Sequence, residues 1–542
     1  MAIQEELTNR NEFQDSPVPV LTASMNNAPT TSTGRSAWKS VVLVLICTLA
    51  MITYVRGNPI FVFAMLILVQ QAGSSSVGVF LPVIGEDLDI PEIKLQWLVS
   101  AFSLSSGCFL LLFGRLADLY GRKLLYLIGT LFLGATSLGC GFAQNGTTLY
   151  ILRGVQGLGP AAFVPACLGI LAHAFPPSRA RSAAFATFSA GAPLGGAIGT
   201  QFGALLTQYT KASWRSPFFL IAGMACLSAL GGFLVIDPDV PSTEADRRVD
   251  WIGAFLATTG LILLVFVLGQ GSLATHGWKT GYIIALLIVS VIFLSVFLLW
   301  QHYLEKNEGT QRPPLMKLTL WKRAKGKFAV MQAIAFLQWA AFLSWYFWAQ
   351  IYYENYQKLS AVLTGVRMLP MSITGALCNV FVVLVIGKID LVVLLVFGTF
   401  FTGLAPLLFA LIIPSSPYWA FGFPATIVAV FGADFVFAAG TLFVAKISLP
   451  HEQSLAGALF QTITQLGTAF GLAISTISFD AVAHGTGNDA PLEAYRAAHW
   501  TAFGMAMFCT VLAAIFLRGV GPVGEHDRPK EEELEEHEKS IP

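Results

Sequence analysis

Apolar runs of about 20 residues, the length an α-helix needs to cross the hydrocarbon core of a bilayer, recur along this chain from residue 60 to residue 517. One soluble core could not bury so much hydrophobic surface. The composition agrees: 55% of residues are hydrophobic and 12% charged, where soluble domains carry about 25% charged residues. An all-α polytopic membrane protein is the expected class. The net charge of +1 carries no information about partners, and no strongly basic region suggests nucleic acid.

The runs organise the chain. Residues 1–37 are polar and rich in Ser, Thr, Asn and Pro, which predicts a disordered tail rather than a signal peptide. Spans are read near 60–85, 97–115, 124–143, 148–172, 182–207 and 215–236, giving a first set of six within 38–236. A polar linker, 237–250, leads to two further spans within 251–303 and then to a basic linker, 304–327. Six more spans fill 328–518, near 328–353, 360–386, 391–413, 418–444, 453–478 and 497–517, and an acidic tail closes the chain at 519–542. With both termini inside, Lys and Arg fall mainly on cytoplasmic segments, as the positive-inside rule requires. The stretch 38–67 is irregular, because Arg56-Gly-Asn-Pro59 interrupts it. An arginine is costly at the bilayer centre, so 38–67 is read as a span, an interfacial helix, or an insertion such as a translated intron.

The ten residues from Gly114 to Lys123 form a short charged loop between two apolar runs. Asp118, Arg122 and Lys123 are expensive in hydrocarbon and belong at the membrane face, with the basic pair arguing for the cytoplasmic side. Gly114 and Gly121 permit close approach or positive φ. Arg153 stands in an otherwise apolar span, where it must face a wet cavity or the bundle interior, and Gln156 shares its helix face. Holding two helices through backbone carbonyls is the plainer role for Arg153. Gly191, Gly195, Gly199 and Gly203 recur every four residues, a stripe for close helix packing. Asn145-Gly-Thr147 is a glycosylation sequon in a very short external loop.

The loop Gly114-Arg-Leu-Ala-Asp-Leu-Tyr-Gly-Arg-Lys123 resembles the signature of the major facilitator superfamily, in the place between the second and third spans where that family carries it. Leu152-Arg153-Gly-Val-Gln156-Gly157-Leu-Gly159, the glycine-rich run and Trp214-Arg215 also fall where that family has related features, and Gly387-Lys-Ile-Asp390 is a weak echo of the loop. Two additional spans beginning at Asp250-Trp-Ile-Gly253 point to its fungal fourteen-helix drug:proton antiporter branch. The resemblance implies a major facilitator fold: two six-helix bundles with two extra central helices, 14 transmembrane helices in all. It implies a cytoplasmic latch at Gly114, Asp118, Gly121, Arg122 and Lys123, and a part for Arg153 in proton binding.

The chain departs from that pattern in span one. Many fourteen-helix members have an acidic residue there, and this chain has Gln70-Gln-Ala-Gly-Ser-Ser-Ser76. The acid nearest a span centre is Asp434; such a carboxyl can load and release a proton as access alternates, or simply hydrogen-bond two helices. The substrate cavity is expected at Gln71, Gln156, Gln338, Trp339, Phe342, Gln461 and Gln465, polar and aromatic side chains at helical spacing. The aromatic residues from Trp345 to Tyr356 read mostly as an interfacial belt.

The seven cysteines lie in apolar runs without metal-ligand spacing, and no phosphate loop, zinc cluster or nucleophile elbow occurs, so no metal, cofactor or enzymatic activity is expected. The expected function is proton-coupled efflux of small organic or toxic compounds by a monomer in the plasma membrane. A facilitator or importer of a small solute such as ammonium, borate or a chelate stands as the alternative, and a transporter-like sensor as a third.

Overall fold

The computed structural model describes residues 59–523 apart from 91–94, 96, 176–178, 240–247, 272–273, 275, 308–311, 360 and 484–489. Among the described residues no strand occurs. A first set of helices comprises α1 Pro59–Asp87, α2 Trp97–Cys108, α3 Leu110–Tyr120, α4 Arg122–Gly141, α5 Gly146–Gln156, α6 Leu158–Ala174, α7 Arg179–Tyr209 and α8 Arg215–Val235. A pair follows, α9 Trp251–Gln270 and α10 Gly281–Lys306. A second set comprises α11 Lys327–Ile351, α12 Ala361–Val385, α13 Leu391–Ala410, α14 Tyr418–Ile447, α15 Gln453–Ala483 and α16 Leu492–Phe516. Among the described residues, eleven helices are long and apolar enough to cross a membrane, or twelve when α2 and α3, bent by 45° at their junction, are taken as one span. Close to the bend, Ser105 Oγ donates to the carbonyls of Ala101 and Phe102 at 3.0 and 3.2 Å, a back-bonding that often accompanies bent helices.

Helix α1 starts at Pro59, a residue suited to a first helical turn. Residues 59–67 are continuous with the helix that follows. The rest of that irregular stretch, 38–58, lies outside the described residues, as do the tail 1–37 and residues 524–542 of the tail at the other end.

Within the first set α1 lies along α7, and α4 packs between α6 and α8; within the second, α13 packs between α14 and α16, and α11 between α15 and α16. The two sets meet where α12 lies on α7 and where α15 lies on α3 and α6. The α1–α7 contact is as close as helices allow. A Cβ added at Gly195, Gly199 or Gly203 would come within 2.5 Å of the Leu68 carbonyl, 2.4 Å of Ala72 Cα and 2.7 Å of Ser76 Cβ. Gly191, the fourth glycine of the stripe, is buried.

The pair α9–α10 is fastened at one end by Asp250. Its carboxylate accepts from the Gly253 N–H at 2.8 Å, capping α9, and from Trp300 Nε1 at 3.0 Å and Gln301 Nε2 at 2.7 Å. Along α10, Ile284, Ile288, Val291, Ile292 and Leu299 are exposed, a surface that only lipid would cover comfortably.

Candidate functional site

The charged loop supplies a charged contact between the two sets. Asp118, near the end of α3, is held by Arg122 in the first turn of α4; Nη2 and Nε donate to Oδ1 at 2.8 and 3.1 Å. The same carboxylate reaches across to the second set. It accepts from the Ser454 and Leu455 N–H groups at 3.3 and 2.9 Å. These are orphan donors in the first turn of α15, at the positive end of its dipole, where a carboxylate is favoured. The Asp118 side chain has 0% exposure, so these donors stand where water would otherwise be. Arg122 Nη1 extends the contact to the Gly169 carbonyl of α6 at 3.0 Å.

Gly114 makes this approach possible, because a Cβ there would come within 2.6 Å of Ala458 Cβ. Gly121 turns the chain between α3 and α4 at φ 124, a region L side chains avoid. Lys123 works elsewhere. Its Nζ donates to the Phe233 carbonyl at 3.0 Å and to the Ile236 carbonyl, at the end of α8. Asp239 returns the favour by accepting from the Lys123 and Leu124 N–H groups at 2.8 and 3.0 Å. The five motif residues thus divide: Gly114, Asp118 and Arg122 face α15 and α6, while Gly121 and Lys123 face the end of α8. Asp239 was missed in the sequence, where it reads as one more acid of a polar linker. Glu452 was missed too. It pairs with Arg323 at 2.7 Å and fastens the basic linker to the turn just before Ser454.

Arg153 is fully buried among α2, α4 and α5. Nε donates to the Leu98 carbonyl at 2.7 Å and Nη1 to Gln156 Oε1 at 2.8 Å, while the Phe102 ring centroid lies 4.6 Å from the guanidinium carbon. Gln156 Nε2 in turn donates to Ser137 Oγ at 2.6 Å. Gln156 is therefore committed to this network and lines no open space, contrary to its expected place in a substrate cavity. Nη2 of Arg153 has no hydrogen-bond partner among the described residues.

Asp434 lies in the second set and shares no hydrogen-bond partner with Arg153. Its Oδ1 accepts from Asn379 Nδ2 of α12 at 2.9 Å, and both residues are buried. Asn379 went unnoticed in the sequence, although an amide in an apolar run was a usable signal.

The remaining cavity residues scatter. Gln338 has no exposed surface and faces Gly432, whose added Cβ would lie 2.6 Å from its Nε2. It too fails the expectation of a cavity wall. Gln71 packs at the α1–α7 contact, and Gln461, Trp339 and Phe342 are half-buried, with Gln465 exposed. Trp339 lies 5.6 Å from Phe437, which stacks on Phe188 of the first set at 6.3 Å. Phe188 and Phe437 were invisible among 42 phenylalanines. The aromatic belt is also corrected. Trp345, Trp348, Tyr352 and Tyr353 are at most 5% exposed; Trp348 stacks on Phe479 at 4.2 Å and donates to Ser475 Oγ at 2.9 Å. These rings form a core within the second set and do not face lipid. Asn145 is exposed, but its Oδ1 caps α5 by accepting from the Thr148 N–H at 2.8 Å.

Two packed sets of apolar helices, with charges buried inside each and a charged contact between them at one end, define a multi-pass membrane protein of the carrier type. A family profile described as Major Facilitator Superfamily matches residues 63–250 and 242–471, and the chain belongs to that superfamily of transporters. It is 29% identical over 460 residues to the low affinity ammonium transporter of Saccharomyces cerevisiae, covering 83% of this chain and 86% of the relative. It is 30% identical over 449 residues to the efflux pump terG of Aspergillus terreus, covering 80% and 81%. The human organic anion transporter MFSD10 shares the fold, with a TM-score of 0.60 at 15% identity over 84% of this chain and 100% of that one.

Proposed function

We propose that this transporter exports small organic or toxic compounds in exchange for protons by alternating access. Its fourteen spans form two six-helix bundles, 38–236 and 328–518, flanking the pair 251–303, with linkers at 237–250 and 304–327 and cytoplasmic tails at 1–37 and 519–542. The site of action is the plasma membrane. The observation that carries this reading is the Asp118 carboxylate seated on the first turn of α15: it closes one end of the molecule by bonds between the bundles, and those bonds must break for that end to open. Gly114, Asp118, Gly121, Arg122 and Lys123 then form the cytoplasmic latch. Gln71, Trp339, Phe342, Gln461 and Gln465 retain some exposure and are the groups available to touch substrate. Relatives named as efflux pumps support the direction.

Asp434 is the proton carrier in this scheme, with Asn379 as its partner, and Arg153 fixes the helices on which the first bundle moves. A lone buried carboxyl held by one amide can lose its charge without leaving a cation unpaired, which suits a group that is protonated in every cycle. Asp434→Asn is expected to fold and to abolish pH-driven transport while leaving exchange without a gradient.

The experiment is accumulation of a compound panel in a transporter-deleted host, with and without an uncoupler. Lower accumulation that the uncoupler abolishes is expected. Raised uptake, of ammonium above all, would favour the second reading, a facilitator or importer of a small solute. The identity with an ammonium transporter and the absence of an acid from span one give that reading its support.

A further inference from the structure

At the end of the second set away from Asp118 lies a cavity of about 460 Å3. It is walled by the start of α14, the loop before it, the first turns of α12 and the π-helical turn Tyr352–Tyr356 that ends α11. Helix α14 has 30 residues, on the order of 45 Å at 1.5 Å per residue, and Asp118 binds the chain just beyond its other end.

The chemistry of the wall is specific. Arg367 lies with its guanidinium carbon 5.0 Å from the Tyr353 ring centroid and 5.4 Å from that of Tyr418. Nη1 donates to Gln357 Oε1 at 2.7 Å, and Gln357 is itself held by donating to the Tyr352 hydroxyl at 3.2 Å. The Tyr418 hydroxyl donates to the Arg367 carbonyl at 2.7 Å, fixing the backbone from which the side chain springs. Gly422 lets the rings close, because a Cβ there would overlap the Tyr353 hydroxyl and the Tyr418 ring. The guanidinium is thereby pre-set in position, and the Gln357 bond uses one of its five N–H groups. Tyr356 and Phe421 add half-buried apolar surface. Among the described residues no acidic side chain lines the cavity.

Aromatic boxes commonly take cations, but here the protein's own cation already occupies the Tyr353 and Tyr418 faces. Among the described lining residues Arg367 is the charged one, and it is positive. We propose that the cavity is a binding site for an aromatic carboxylate, whose carboxylate meets the Arg367 fork and whose ring lies against Tyr356 and Phe421. The proposal stands apart from the direction of transport and from the latch.

The test uses the purified full-length chain in lipid nanodiscs, titrated with 2-naphthoate and with 2-naphthylmethylammonium, which presents a similar ring and the opposite charge. The carboxylate is expected to bind at least about 10-fold more tightly than the ammonium, and Arg367→Gln to weaken it by about 10-fold or more. Arg367→Lys, which keeps the charge and loses the fork, is expected to weaken it by about 3-fold or more. To place the binding, a thiol introduced by Ser416→Cys at the cavity wall is reacted with a polar maleimide. 2-Naphthoate should slow that reaction with Arg367 present and not with Arg367→Gln. Equal affinity for the two probes, or naphthoate affinity and protection untouched by Arg367→Gln, would overturn the proposal. Should Arg367→Gln not yield monodisperse protein, Arg367→Lys carries the test, and full retention of affinity and protection would overturn it.

Discussion

The two ends of this molecule are held by different kinds of contact. At the Asp118 end a buried carboxylate joins α3 of the first set to α15 of the second. At the other end two polar clusters among the described residues each lie within one set. Asp87 accepts from Trp214 Nε1 at 2.9 Å and from Arg215 Nη1 at 2.8 Å, all in the first set, and Arg367 with its tyrosines belongs wholly to the second. Bonds within a set travel with it when the sets move, whereas bonds between sets have to be broken. In the proposed cycle this difference makes the Asp118 end the one whose release gates the carrier, with the far end moving as two separate walls.

Substitutions at the two ends should therefore differ in kind. The largest effect is expected from Asp118→Ala, which removes the charge-assisted bonds to the first turn of α15. A loss of about 2–3 kcal/mol, or about 30-fold to 150-fold in favour of the open end, should nearly abolish transport in cells at normal membrane abundance; transport above half of wild type would break the comparison. Next comes Gly114→Val, whose Cβ cannot fit beside Ala458 without separating α3 from α15. Overpacking of about 1–3 kcal/mol should lower transport by about 5-fold or more, and the thermal midpoint of the purified protein tells separation from global unfolding. Asp87→Asn should do least. The carboxylate is 46% exposed, so its bonds are screened and worth about 0.2–1 kcal/mol. Transport within about 2-fold of wild type is expected, and a loss as large as that of Asp118→Ala would show that the far end is latched too.

How much of this was legible in the sequence follows from what hydrocarbon forbids. Charges cannot rest in lipid, so the loop from Gly114 to Lys123, the buried Arg153 and Asp434 stood out from apolar runs. Asp118's partners did not, because they are the backbone N–H groups of Ser454 and Leu455, which any sequence would supply. Asp239 and Glu452 looked like ordinary loop acids; only the fold brings them to a helix end and to Arg323. The aromatic residues of α11 were misplaced for another reason. Lipid and protein interior are both apolar, so composition does not say which one a tryptophan faces, and Trp345 and Trp348 turned inward. Gln156 and Gln338 shared that fate. Their helical spacing was real, yet the face they mark packs against neighbouring helices.

The central claim is that the Asp118 contact with α15 holds its end of the molecule closed. It is tested most directly by spin labels at Tyr120→Cys and Leu449→Cys, both positions exposed, in a background without other cysteines. Pulsed dipolar spectroscopy then reads the distance between α3 and the turn before α15. A single short distance is expected with Asp118 in place, and a second population several Å longer, dominant or nearly so, with Asp118→Asn. An unchanged distance distribution in Asp118→Asn would contradict the account.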